Sequence, residues 1–292
     1  MSTPIQAALW MSGTMVSFTL MAVSGRELAG QLDTFEIMFY RSLIGIGIVV
    51  GACAVSGTLY RISTQRLGLH LTRNAFHFFG QNLWLYAVTV IPLSQLFAFE
   101  FTTPLWVALL APLILAERMT AARLLAAGVG FAGILLIARP GTSPLTPGVL
   151  AAAGCAIGFA GAIIFTKLLA RTESIASILF WLTVMQAVFG LAAAGADLEI
   201  RVPLWKDMIW VSLIGLTGLS AHFCFTKALT LAPATVVGPL DFLRLPLIAV
   251  VGFALYGEPL EALVFAGAAL VFGANYLNIR SEHRTRLARS TG

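Results

Sequence analysis

Glu100, Asp241 and Arg244 stand inside long apolar runs, as do Asn74, His77, Gln81, Trp84, Thr103, His222 and Lys227. Ionisable groups in such surroundings are costly to desolvate, and by default they mark solute pathways or proton relays. A carboxylate there can hold a cation or take up a proton, and a guanidinium can hold a carboxylate or phosphate. Amides, imidazoles and an indole can orient a polar solute. The spacing groups these residues. Asn74, His77, Gln81 and Trp84 follow one another at three and four residues, which puts them on one helix face, with Asn82 adjoining. Thr103 and Arg244 each come three residues after a carboxylate and share its face. His222 is followed by Thr226 and Lys227, and Lys227 is near enough to a helix end to snorkel. The structural alternative is an ion pair, Arg244 with Asp241 or Glu100, that only ties helices together. Arg41 reads as structural, paired with Glu36 or Glu27. Glu117 and Glu258 read as end-of-helix residues.

The elements that must position these groups are membrane helices. The chain is 59% hydrophobic and 11% charged, with a mean hydropathy of +0.90. A soluble chain of 292 residues needs more charge to cover its surface. Apolar runs of roughly 20 residues, the length that spans a bilayer, recur ten times: about 4–24, 34–55, 71–91, 93–115, 120–138, 148–166, 175–195, 207–231, 235–255 and 260–279. The net charge of +5 is spread between these runs and over the tail arginines, so it makes no nucleic-acid face. The tail could touch anionic lipid. Cys53, Cys155 and Cys224 lie in apolar runs without metal-ligand or CxxC spacing, so neither a disulfide, a metal nor a cofactor is expected. The first basic residue is Arg26, so the first run is expected to be a retained helix and not a cleaved leader.

The chain repeats itself at an offset of 141 residues without a gap. Pro92 falls on Pro233, Glu100 on Asp241, Glu117 on Glu258, Arg139 on Arg280 and Gly13 on Gly154. Each copy holds five spans, an odd number, so the second copy enters the membrane from the opposite side. The predicted fold is therefore an all-α polytopic membrane protein with ten transmembrane helices in two inverted five-helix repeats. Residues 1–140 form the first repeat, residues 147–280 the second, and 281–292 a basic cytoplasmic tail. With the N-terminus inside, eleven basic loop and tail residues lie on the inner side against four on the outer, so both termini are expected in the cytoplasm. Inverted halves provide outward- and inward-open states around one central site. Pro104 and Pro112 in the fourth span, with Pro239 and Pro246 in the ninth, each remove a backbone donor. Pro104 frees the carbonyl of Glu100 itself, and such breaks favour a gating or binding pair of helices.

The segment Ala87 to Arg139, with its hairpin Pro92, proline-bearing fourth span, Glu117 at the end of that span and glycine-spaced fifth span, resembles the EamA family of the drug/metabolite transporter superfamily. The second copy repeats the pattern with Pro233, Glu258 and Gly273, and Arg41 in FYRSLIG resembles an arginine common in the second helix of that family. The resemblance covers essentially the whole chain. It implies a central cavity lined mainly by spans three, four, eight and nine with one and six, and metabolite transport at a bacterial inner membrane. The expected function is secondary transport by alternating access, for amino acids or zwitterions such as S-adenosylmethionine, with Glu100 or Asp241 relaying a coupling proton. Riboflavin or a drug-like compound is the alternative solute. An intramembrane enzyme lacks HExxH, GxSxG and DDxxD motifs, and a receptor lacks a soluble domain. Expected partners are a small solute, the bilayer and protons. A homodimer is compatible with all of this.

Overall fold

Every regular element among the described residues is helical. The computed structural model describes residues 3–115, 121–139, 145–196, 199–231, 240–241 and 243–290. Glu117, Arg118, Pro140, Pro233 and Pro239 lie outside these, as do the side chains of Pro112, Arg123, Thr226 and residues 278–290. The helices are α1 Thr3–Glu27, α2 Thr34–Val55, α3 Leu67–Val90, α4 Leu93–Glu100, α5 Thr103–Leu115, α6 Ala121–Ala138, α7 Pro147–Leu169, α8 Ile175–Ala194, α9 Trp205–Leu231, α10 Arg244–Tyr256 and α11 Ala262–Ser290.

Local sequence explains many of their ends. Asp33 caps α2 in a reciprocal capping box with Glu36. Thr146 caps α7 ahead of Pro147, and Ser174 caps α8. Gly257 stops α10 in a left-handed conformation (φ 63°) that a side chain would resist. The fourth span, expected as one run over 93–115, is two helices. It turns at Phe101–Thr102, because Pro104 cannot donate to the carbonyl of Glu100.

Among the described residues, six helical stretches are long and apolar enough to cross a membrane: Ile5–Glu27, Thr34–Val55, Leu93–Ala111, Pro147–Leu169, Ile175–Ala194 and Trp205–Phe225. α3 is 24 residues long but diluted by its polar stripe, and that stripe is turned inward: Asn74, His77, Gln81, Asn82 and Trp84 are all buried. Arg73 is also buried inside α3, donating to Thr166 Oγ1 (3.1 Å) and Asn74 Oδ1 (2.9 Å).

Helices of the first half pack chiefly on helices of the second: α1 on α9, α3 on α7, α2 on α8, α6 on α11 and α4 on α10. The offset of 141 residues exchanges the first two of these pairs and returns α2 on α8 and α6 on α11 each to itself. The contacts obey the same rule. Gly13 of α1 faces Cys224 of α9, while its mate Gly154 faces Leu83, the mate of Cys224. Contacts run in opposite chain directions along the pairs (Gly148 by Val90 but Gly161 by Phe76; Gly45 by Thr183 but Gly190 by Phe39), so paired helices are antiparallel. Where α3 crosses α7 a methyl on Gly158 would stand 2.7 Å from the Gly80 Cα, so only glycine lets these two helices approach this far.

Candidate functional site

The two halves meet in an ionic cluster where α4 ends and α10 begins. Arg244, the first residue of α10, places Nη2 3.0 Å from Glu100 Oε1 and 3.5 Å from Asp241 Oδ2. The indole of Trp84, on the polar face of α3, donates to Glu100 Oε2 at 2.7 Å. The guanidinium carbon lies 4.5 Å from the ring centre of Phe18 and 5.0 Å from those of Phe97 and Phe101, so the cation is walled by aromatic rings, contacts worth about 0.5–2 kcal/mol each. Arg244 is 3% exposed. Its Nε and Nη1, and Asp241 Oδ1, are buried without a hydrogen-bond partner among the described residues. Leaving buried polar atoms unpaired costs roughly 1–3 kcal/mol apiece, more where charged.

The break in the fourth span is satisfied by side chains. Thr103 Oγ1 donates to the freed Glu100 carbonyl (2.6 Å), Thr102 Oγ1 to Phe99 (2.7 Å), and Asn275 Nδ2 of α11 to Phe101 (2.9 Å). Thr103 therefore fixes the backbone under Glu100 and does not present its proton to the cluster.

A second polar group surrounds a cavity between α2, α3, α8 and α9. Its lining includes Arg41, Ser42, His77, Thr183, Gln186 and His222. Eight lining residues are repeat mates of one another: Arg41 with Leu182, Ser42 with Thr183, Gly45 with Gln186 and His77 with Gly218. The cavity thus straddles the relation between the halves, and the two copies dress it unequally. Phe18 partitions it from the ionic cluster, because its ring meets the Arg244 guanidinium and, at 5.7 Å and edge-on, the His222 imidazole.

The remaining predicted residues are distributed as follows. Gln81 is buried, with Nε2 lacking a partner, and His77 Nδ1 is in the same condition. Asn74 is wholly engaged. Its Nδ2 donates to the Trp181 carbonyl (3.2 Å), its Oδ1 accepts from Arg73, and its carbonyl accepts from Gln186 Nε2 (2.9 Å). It joins α3 to α8. Lys227 is exposed and outside the cavity lining.

Arg41 corrects the expectation that it pairs with Glu36 or Glu27. Glu36 is spent on its capping box and on the Arg201 N–H (2.6 Å), and Glu27 accepts from the Tyr256 hydroxyl (2.9 Å). Arg41 lines the cavity instead. Sequence reasoning also passed over Phe18, Ser42, Thr183 and Gln186. The available signal was the repeat itself, which pairs Phe18 with Phe159 and Ser42 with Thr183; Gln186, whose mate is Gly45, had none.

A family model described as the EamA-like transporter family matches residues 5–139 and again 146–280. A riboflavin transporter of Brucella anthropi is 32% identical over 256 residues, covering 85% of this chain and 89% of that protein. An S-adenosylmethionine uptake transporter of Rickettsia prowazekii is 26% identical over 286 residues, covering 98% and 96%. A crystal structure matches 96% of this chain and 98% of its own at 16% identity with a TM-score of 0.63, a likeness of fold alone.

Proposed function

We propose, since the chain belongs to the EamA-like transporter family, that it carries a small polar metabolite across the bacterial inner membrane by alternating access, and that it is not an enzyme. In this reading ten spans form two inverted five-helix repeats, residues 1–140 and 147–280, with the basic tail 281–292 and both termini in the cytoplasm. The observation that carries the reading is the Glu100–Arg244–Asp241 cluster. One carboxylate comes from the first half and a carboxylate and the cation from the second, where α4 ends and α10 begins, with buried valences left over. Rocking one half against the other separates or rejoins these charges, so solute binding and conformational change are coupled through the same atoms.

The solute class is an amino acid or a related zwitterion such as S-adenosylmethionine, with Trp84, Gln81, His77 and His222 orienting its polar atoms and Lys227 placed toward its exit. Glu100 or Asp241 takes up the coupling proton. Riboflavin is the second reading, favoured by the named relative of Brucella anthropi. Counterflow of labelled S-adenosylmethionine and of labelled riboflavin in proteoliposomes tests both. Uptake of one, competed by the same unlabelled solute and leaving it chemically unaltered, is the expected result. Uptake of neither, or a converted product, contradicts the reading.

A further inference from the structure

The cavity between α2, α3, α8 and α9 contains a cation that the protein does not neutralise. Arg41 carries five N–H donors, yet its only hydrogen-bond partner among the described residues is the sulfur of Met38, 3.8 Å from Nη1. It makes no ion pair among them. Arg73 shows the contrast, since two of its nitrogens are engaged by Thr166 and Asn74. A guanidinium held inside an apolar bundle without an anion is costly, and it is retained where an anion arrives from outside.

The neighbours of Arg41 supply the complementary chemistry. Gln186 is 2% exposed, and its amide is oriented by donation from Nε2 to the Asn74 carbonyl, which leaves Oε1 buried, without a donor, in the cavity wall. Ser42 and Thr183 give their protons to the carbonyls of Met38 (2.6 Å) and Phe180 (3.0 Å). Both hydroxyl oxygens are left as acceptors. One fixed cation beside three acceptors matches a group with an anion and an N–H donor a few ångströms apart.

We propose that this cavity binds the α-amino-carboxylate head of the transported solute, with Arg41 on the carboxylate and Gln186, Ser42 and Thr183 on the ammonium. The assignment of the head to a transported solute rests on the transporter reading above; the anion site itself does not. An arginine paired to a carboxylate by charge-assisted hydrogen bonds discriminates against a solute lacking that group. The repeat explains why the site is single: the mates of Arg41 and Gln186 are Leu182 and Gly45, so the inverted copy cannot bind the same head.

The test is thermal unfolding of the purified full chain in detergent at constant ionic strength, titrated with S-adenosylmethionine, its decarboxylated analogue, riboflavin and inorganic phosphate. Ligands that bind the folded state raise Tm by mass action. The expected result is stabilisation by S-adenosylmethionine well above that by the decarboxylated analogue. Arg41→Gln raises the half-saturating concentration by at least about tenfold, and Arg41→Lys retains part of the response. Gly218→Ala is the second variant, because its methyl would stand 3.1 Å from Arg41 Nη2 and displaces the head group without removing charge. It weakens the same response if Arg41→Gln fails to fold. Equal stabilisation by the two adenosyl compounds, or a response unchanged in Arg41→Gln or in Gly218→Ala, overturns the site. So does a riboflavin response that no Arg41 variant moves, although that result leaves the transporter reading standing. Phosphate separates the two failures. A phosphate shift present in wild type and lost in Arg41→Gln, with no response to either adenosyl compound or riboflavin, keeps the anion site and overturns the solute. No response to any of the four overturns both.

Discussion

Arg26 and Arg244 each carry an ion pair from one half of the chain to the other, and the two pairs are finished differently. Arg26 spends Nη1 on Glu258, Nε on the Val88 carbonyl (2.7 Å) and Nη2 on the Ile91 carbonyl, while the second oxygen of Glu258 takes the Leu93 N–H at 2.8 Å. Every polar atom is used, and the group pins the end of α1, the hairpin at Pro92 and the turn after α10 together. Arg244 pairs with Glu100 and Asp241 through Nη2 alone, leaves Nε and Nη1 buried without partners, and is walled by aromatic faces. A buried ion pair stabilises only when its remaining valences are satisfied. The first pair is a bolt. The second leaves buried valences open among the described residues.

The two pairs should therefore fail in opposite ways. Arg26→Gln strands a largely buried carboxylate and is expected to cost roughly 3 kcal/mol of stability, read as a large fall in Tm in detergent, with flux per folded molecule little changed. Arg244→Gln should lower solute flux about a hundredfold, roughly 2–3 kcal/mol, with a Tm shift less than half that of Arg26→Gln. If the Tm losses are reversed in rank, the distinction between bolt and site is lost. Glu100→Gln sharpens the comparison: flux should persist at a lower level but lose its dependence on a pH gradient. Coupling that survives both there and in Asp241→Asn rules out these carboxylates as the proton carriers. The smallest effect belongs to Trp84→Phe, which removes the indole bond to Glu100. It should cost about 1 kcal/mol, seen as roughly fivefold weaker half-saturation for the solute with Tm nearly unchanged.

Much of this was written in the sequence because the chain is its own reference. The 141-residue offset brought Glu100 onto Asp241 and Thr103 onto Arg244, and all four form the cluster or its backbone support. Pro104 announced the break beneath Glu100. What stayed hidden is the commitment of individual side chains. Asn74 shares a helix face with His77, yet it turns to α8 and is consumed there, and spacing along one helix does not reveal the acceptor on another. Arg41 has acidic residues within reach along the chain, but Glu36 belongs to a cap and Glu27 to Tyr256, so proximity in sequence pointed to ion pairs that do not form. Gln186 belongs to none of the polar stripes that spacing picks out, and its repeat mate is Gly45. Only its one-sided hydrogen bonding, with Nε2 used and Oε1 unused, exposes it as cavity lining.

The unfinished Arg244 cluster, and not the finished Arg26 pair, is proposed to move solute. Counterflow of labelled S-adenosylmethionine and riboflavin in proteoliposomes, run on wild type, Arg244→Gln and Arg26→Gln at equal amounts of folded protein, tests it most directly. The solute carried by wild type should be carried by Arg26→Gln and lost in Arg244→Gln. Flux retained in Arg244→Gln at the wild-type rate contradicts it.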